Sequence, residues 1–324
     1  NLDLSYRQKL AMKAYNLTAF YDSVIARYFS ELTGEEGKYK TYGFEKESEL
    51  RYGENPGQDA ALYNDPFVKG LMENMEVIHG KKMSYNNYND LNPALELAQE
   101  LGENAVVALK HQSPCGVAQG QSVYESYIKA YECDSQSIFG GIVAVNGIVD
   151  EKTAEEMNKI FLEIIAARDF TDEALEVLTQ KKNVRLVKIN FDNETVKEEI
   201  RYLNGKVLIQ GKDFGEDELE IVTDKKPTEA EIKDLLFAQK VVKYVKSNAI
   251  VVAKDMQTLG CGAGQQSRIW ALESIKDHFK DRDFTGAAMG SDAFFPFPDT
   301  VELAHEMGIS SIIQPGGSIK DQDS

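Results

Sequence analysis

The chain has 324 residues, 42% of them hydrophobic and 27% charged, with a formal net charge of −17. That length supports more than one buried core, and no apolar run approaches the ~20 residues that cross a bilayer. Such acidity excludes nucleic acid and anionic membrane as partners, since both need a broad basic surface, but leaves room for a small anion held by a few cations in a cleft.

The first thirty residues predict one amphipathic helix, with Leu10, Ala14, Leu17, Phe20 and Tyr21 at helical spacing and Gly34 closing the segment. No signal-peptide apolar stretch opens it. LRYGENPGQDAALY is punctuated by Gly and Pro and does not read as helix. Then come a helix over 92–102, a strand over 105–109, a helix around 122–131 and a strand at 141–145. A helix from Glu151, a strand near 162–166, a helix from Asp172 and a strand at 184–189 continue the alternation, which predicts α/β layers. Residues 190–226 are polar and turn-rich and read as an irregular connection with room for a hairpin; the Glu-rich stretch 216–220 reads as a solubility feature. The alternation resumes with a helix over 228–245, bearing Ile232, Leu235, Leu236, Val242 and Val245 on one side, and a strand at 249–253. A glycine-rich turn, a helix from Gln266, a helix over 299–307 and a strand at 311–314 follow. Two units of similar order predict a duplicated fold. The boundaries expected are 1–190, a connection at 191–226, and a second unit at 227–324 that is truncated at its end.

Four segments offer chemistry. KHQSPCG, residues 110–116, sets a cation beside a group that titrates near neutrality at the end of a buried strand, with Pro114 and Gly116 shaping the turn. LGCGAGQQSRI, residues 259–269, places Gly260, Gly262 and Gly264 between a strand and a helix, either as an anion cradle or as a tight turn delivering Arg268. SDAFFPFPDTVELA, residues 291–304, is a Pro-stiffened aromatic strip suited to an apolar heterocycle with Asp299 at its edge; core packing explains Phe294 and Phe295 equally well, Phe297 less so. QPGGSIKDQ, residues 314–322, offers amides and the Ser318 hydroxyl. The four histidines show no metal-ligand spacing. Pro114-Cys115 is half of a zinc deaminase motif, but its H-x-E partner is missing and Ala118 stands where the second cysteine belongs. Three cysteines without a CxxC fit a reducing, cytoplasmic setting.

RYGENPGQ, KMSYNNYND, KHQSPCGVA, FGGIVAVN, KSNAIVVAKD, GAGQQSRI, SDAFFPFPD and IIQPGGSI occur in that order. Together they resemble the transformylase domain of the bifunctional purine biosynthesis family, which joins phosphoribosylaminoimidazolecarboxamide (AICAR) formyltransferase to IMP cyclohydrolase. The resemblance implies two cytidine-deaminase-like α/β/α three-layer units and formyl transfer from 10-formyltetrahydrofolate to the 5-amino group of AICAR. It implies a homodimer with active sites across the subunit interface. By motif, His111 corresponds to the proton acceptor, Lys110 to the cation that stabilises the tetrahedral transition state or assists the departing folate nitrogen, and Asn248 to the residue orienting substrate and base. Arg51, Tyr52, Gly140, Glu163, Arg268 and Phe294 correspond to nucleotide-side positions. Ile269, Asp299, Ser318 and Ile319 correspond to folate-side positions, with Phe297 a wall of that pocket. Arg168 stands where the family usually has Pro, and the family's arginine-rich final segment is missing, as is the cyclohydrolase domain. Spacing gives no basis for or against a bound potassium ion (K+). A deaminase-like hydrolase working without zinc and a non-catalytic nucleotide-binding module are the alternatives.

Overall fold

The computed structural model describes residues 3–194, 196–213, 218–319 and 321, so part of the acidic stretch 216–220 and the end at 322–324 lie outside the described residues. In chain order the first elements are α1 (Leu4–Thr33), β1 (Glu45–Leu50), β2 (Ala60–Asn64), β3 (Glu76–His79), α2 (Tyr85–Leu101), β4 (Ala105–Lys110), β5 (Ser113–Gln119) and α3 (Val123–Cys133). Next come β6 (Ile142–Val149), α4 (Glu151–Asn158), β7 (Ile164–Phe170), α5 (Asp172–Leu178), β8 (Arg185–Lys188), β9 (Glu198–Tyr202) and β10 (Val207–Gly211). The last are α6 (Glu229–Val242), β11 (Ile250–Lys254), β12 (Gln257–Gly262), α7 (Arg268–His278), β13 (Ala288–Ser291), α8 (Asp299–Glu306) and β14 (Ser311–Ile313).

These elements form two compact units, 1–70 with 194–212, and 71–193 with 213–324. The expected first unit, 1–190, is therefore divided after residue 70. The reason lies in strand pairing: among the described residues β1 bonds only to β2, and β9 only to β10, so neither hairpin belongs to the main sheet. In the smaller unit Gly34 ends α1 at φ 68, as the sequence predicts, and Asp3 caps its start by accepting the Tyr6 amide at 2.7 Å. The connection contains a hairpin, β9–β10.

The larger unit is built on one ten-stranded sheet in the order β14-β13-β11-β12-β5-β4-β6-β7-β8-β3. Strand alternation divides its apolar side chains between two faces. Ala105, Val107 and Leu109 of β4, with Val251 and Ala253 of β11, enter one core beneath Leu91, Leu95 and Ala98 of α2 and Phe237 and Val241 of α6. Val106 and Ala108 point the other way, into a core with Tyr127 of α3 and Met157 of α4. Ile250 and Val252 likewise meet Leu272 and Ile275 of α7 and Ala304 of α8. The result is the expected α/β/α layering.

The duplication is legible in detail. Ser84 and Thr228 each cap their helix through a capping box, with Asn87 and Glu231 as reciprocal partners. Each helix leads into a two-residue hairpin, β4–β5 at His111-Gln112 and β11–β12 at Asp255-Met256, and these four residues all have φ between 52 and 61. Lys110 Nζ donates to Phe139 O at 2.8 Å, and Lys254 Nζ donates to Thr285 O at 2.9 Å. Gly140 at φ 72 and Gly286 at φ 74 follow these carbonyls. The halves join where β5 meets β12 in an antiparallel pairing at Ala118 and Gln257, so the second copy is inverted relative to the first.

Glu231 ties the second half together: its carboxylate accepts the Thr228 amide at 2.8 Å, the Thr228 hydroxyl at 2.9 Å, and the Ser310 hydroxyl at 2.8 Å. These bonds, the Thr228 amide first, lower its pKa from 4.5 to about 2. A depressed carboxylate adds stability that is complete above the unfolded value and is lost as pH falls through the folded one. We expect Glu231→Ala to lose about 1–2 kcal/mol at pH 7. In thermal unfolding the wild-type advantage should shrink as pH falls from 4.5 towards 2; an advantage independent of pH would show that the carboxylate is not its source.

Candidate functional site

Strand directions collect the candidate residues along one edge of the sheet. β4 ends at Lys110 on this edge, and β6 and β7 begin there, just after Gly140 and Glu163. In the inverted half, β11 begins there after Asn248, while β12 ends there and delivers Arg268 and Ile269 at the start of α7. β13 and β14 also end there, leading to Phe294, Phe297 and Asp299, and to Ser318 and Ile319. Arg51 and Tyr52 belong to the smaller unit, where the Arg51 guanidinium lies 5.6 Å from the Tyr52 ring centre.

KHQSPCG is not a turn leading away from the sheet. Pro114 and Gly116 lie within β5, and the reversal is made by His111 and Gln112 alone, at φ 52 and 61. Neither is Gly, and although His is among the side chains that enter this region more often than most, such a backbone costs about 1–2 kcal/mol per non-glycine residue. His111 is exposed at the tip, whereas Lys110 is half-buried and anchored on Phe139 O. Phe139 packs against Phe161 with ring centres 5.9 Å apart, and Phe161 O accepts the Gly140 amide at 2.8 Å. Glu163 follows, its amide on Gly141 O and its carboxylate paired at 2.6 Å with the buried Arg185. The Arg185 Nε and Nη2 both donate to Lys82 O, so the guanidinium is fixed from two sides. Arg168, on β7, pairs with Asp192 at 2.9 Å and donates to Asn146, so a basic residue suits this strand.

A second cluster surrounds Asn248. Its side-chain amide donates to Gln265 O at 2.8 Å, bridging the approach to β11 and the exit from β12. Asp292 accepts from the Ala249 amide and the Arg268 guanidinium, both at 3.1 Å, and from the Ser247 hydroxyl. Arg268 also donates to Ser291 Oγ and Ala293 O at 3.2 Å each. The aromatic strip divides: Phe295 is 1% exposed and belongs to the core, while Phe294 and Phe297 are 42% and 53% exposed. Asp299 accepts the Thr300 amide at 2.7 Å, and the Ser318 amide donates to Asp321 at 3.0 Å. Ile269 is half-buried and Ile319 fully exposed.

The glycine run needs correction. Gly260 and Gly262 lie in β12, and only Gly264, at φ 67, sits in the turn. A Cβ on Gly262 would stand 2.1 Å from Ala271 O of α7, so this glycine serves close packing of strand and helix rather than anion binding. Cys115 donates to Ala108 O, and burial pushes its thiol pKa well up. Sequence reading does not single out Arg185, Asp292 or Asp90. Their partners are remote in the chain, and only the fold brings them together.

The chain matches the family model described as AICARFT/IMPCHase bienzyme over residues 1–276. It is 48% identical over 334 residues to the bifunctional purine biosynthesis protein PurH of Clostridioides difficile (strain 630), covering 100% of this chain and 64% of that protein. Identity to the PurH of Listeria welshimeri is 51% over 327 residues, covering 98% and 63%, and to that of Caldicellulosiruptor saccharolyticus 48% over 334 residues, covering 100% and 65%. The chain thus spans just under two thirds of the length of these relatives. The family model spans most of the chain, and the chain belongs to the AICARFT/IMPCHase bienzyme family.

Proposed function

We propose that this chain carries the formyltransferase activity of purine biosynthesis, moving a formyl group from 10-formyltetrahydrofolate to the 5-amino group of AICAR. The observation that carries the reading is the Lys110–His111 corner: an anchored cation beside an exposed imidazole, on the edge that also gathers Gly140, Glu163, Asn248, Arg268, Phe294 and Phe297. An amine on a carboxamide-bearing heterocycle is a weak nucleophile, so His111 takes its proton as the new C–N bond forms. Lys110 steadies the tetrahedral oxyanion and then protonates the departing folate nitrogen as the old C–N bond breaks. The resemblance assigns Gly140, Glu163, Arg268 and Phe294 of the larger unit to the nucleotide, and separately Arg51 and Tyr52 of the smaller unit. Ile269, Phe297, Asp299, Ser318 and Ile319 hold the folate, an obligatory co-substrate.

Asn248 is assigned to the same reaction, yet β4 and β11 are three strands apart, about 14 Å at ordinary strand spacing. Asparagine and histidine side chains do not span that distance. This supports a homodimer in which Asn248 of one copy completes the corner of the other. Three free cysteines support a cytoplasmic setting. A role for K+ is an accessory question for the same assay, run with potassium or sodium salts.

The test is steady-state turnover by the full-length protein with AICAR and 10-formyltetrahydrofolate. Formyl-AICAR and tetrahydrofolate should appear in equal amounts. Ammonia or formate without formyl-AICAR would favour a hydrolase, and AICAR binding without turnover a nucleotide-binding module.

A further inference from the structure

The corner that presents His111 is held from below. Asp90, on the second turn of α2, accepts the Gln112 amide at 2.9 Å, and the His111 amide bonds to the same carboxyl. The two residues so held both stand in the left-handed region, which costs any non-glycine backbone and Gln112 more than His111. The second half repeats the device: Asp234, the same distance from the N-cap of α6, accepts the amides of Asp255 and Met256, each at 2.9 Å. There, however, the first residue of the turn is Asp255 rather than a histidine. Inversion of the repeat also carries that corner to the opposite edge of the sheet, away from the residues gathered around His111.

We propose that Asp90 is a positioning residue for His111. Its carboxylate fixes both amides of the β4–β5 turn and so sets where the imidazole stands, whereas Asp234 performs the same backbone service with no chemistry attached. The proposal rests on the formyltransferase reading for its kinetic consequence but not for its structural one. A general base must stand within hydrogen-bond reach of its proton, and a misplacement of about 1 Å can cost on the order of 100-fold in rate.

The experiment compares Asp90→Ala, Asp90→Asn, Asp234→Ala and Asp90→Ala combined with Gln112→Gly, all in the full-length protein. Asp90→Ala should lower kcat about 10- to 100-fold, with KM for both substrates within about two-fold of wild type. Asp90→Asn, which keeps one acceptor oxygen, should lie between. Asp234→Ala should leave kcat unchanged, although it removes an equivalent pair of bonds. Glycine at 112 takes positive φ unaided, so the double variant should recover most of the lost kcat. Wild-type kcat in Asp90→Ala, an equal loss in Asp234→Ala, or no recovery in the double variant would overturn the proposal. Amide hydrogen exchange at residues 111 and 112 gives an independent reading. It should quicken at least about ten-fold in Asp90→Ala and not in Asp234→Ala. Unchanged exchange defeats the proposal even if the wild type forms formyl-AICAR. Absence of that product from the wild type defeats the functional reading while leaving the exchange result to stand.

Discussion

His111→Asn is expected to lower kcat for formyl transfer by about 100- to 10,000-fold, the usual contribution of a positioned general base. The choice of asparagine follows from the backbone. His111 sits at φ 52, where alanine would add strain to the turn and confound lost chemistry with a displaced corner. Asparagine tolerates this region and offers no group able to take a proton near neutral pH. Because His111 is exposed, the thermal midpoint should move by no more than about 2 °C. KM for AICAR should change little if the imidazole acts chiefly in the transition state. Lys110→Met is the companion test. It removes the cation and its bond to Phe139 O, and a loss of about 100- to 1,000-fold is expected from deleting one preorganised oxyanion donor. A His111→Asn enzyme with wild-type kcat would remove the base from the mechanism.

The parts of this molecule that sequence made plain are those governed by short-range periodicity. The unbroken apolar run of 105–109 and the helix starts near residues 122, 151, 172 and 228 are legible locally, and the structure places them accordingly. β5, β12 and β13 escaped because their residues do not look like strand formers. β5 contains Pro114 and Gly116, β12 contains Gly260 and Gly262, and β13 is only four residues long. Tertiary packing decides them: each lies against a helix too close for larger residues. The start of α2 was hidden similarly, since YNNYND is a poor helix former rescued by the Ser84–Asn87 capping box. Motif order named the candidate residues, but the groups that support them were invisible. Asp90, Arg185 and Asp292 act on partners distant in the chain, and a reader of sequence has no reason to pair them.

The same missed strands carry the largest expected effect on stability. A Cβ on Gly116 would stand 2.0 Å from Ala130 O, and one on Gly262 2.1 Å from Ala271 O. Both obstacles are backbone carbonyls of a packed helix, α3 in one half and α7 in the other, so no side-chain rotation relieves them. The helix must move by about an ångström, which separates the buried Tyr127 and Ala130, or Leu272 and Ile275, from the sheet. Gly116→Ala and Gly262→Ala are each expected to cost about 3 kcal/mol or more, at the upper end for overpacked cores. Gly211→Ala is the control: nothing lies within 4 Å of its Cβ position, and its change should stay within about 0.5 kcal/mol. Urea unfolding followed by circular dichroism measures all three. Gly262→Ala reaches the candidate site as well, because α7 starts at Arg268 and its displacement shifts the guanidinium held by Asp292. If the variant loses no stability, the glycines of β12 are not there for close packing, and a ligand-facing role for that run returns.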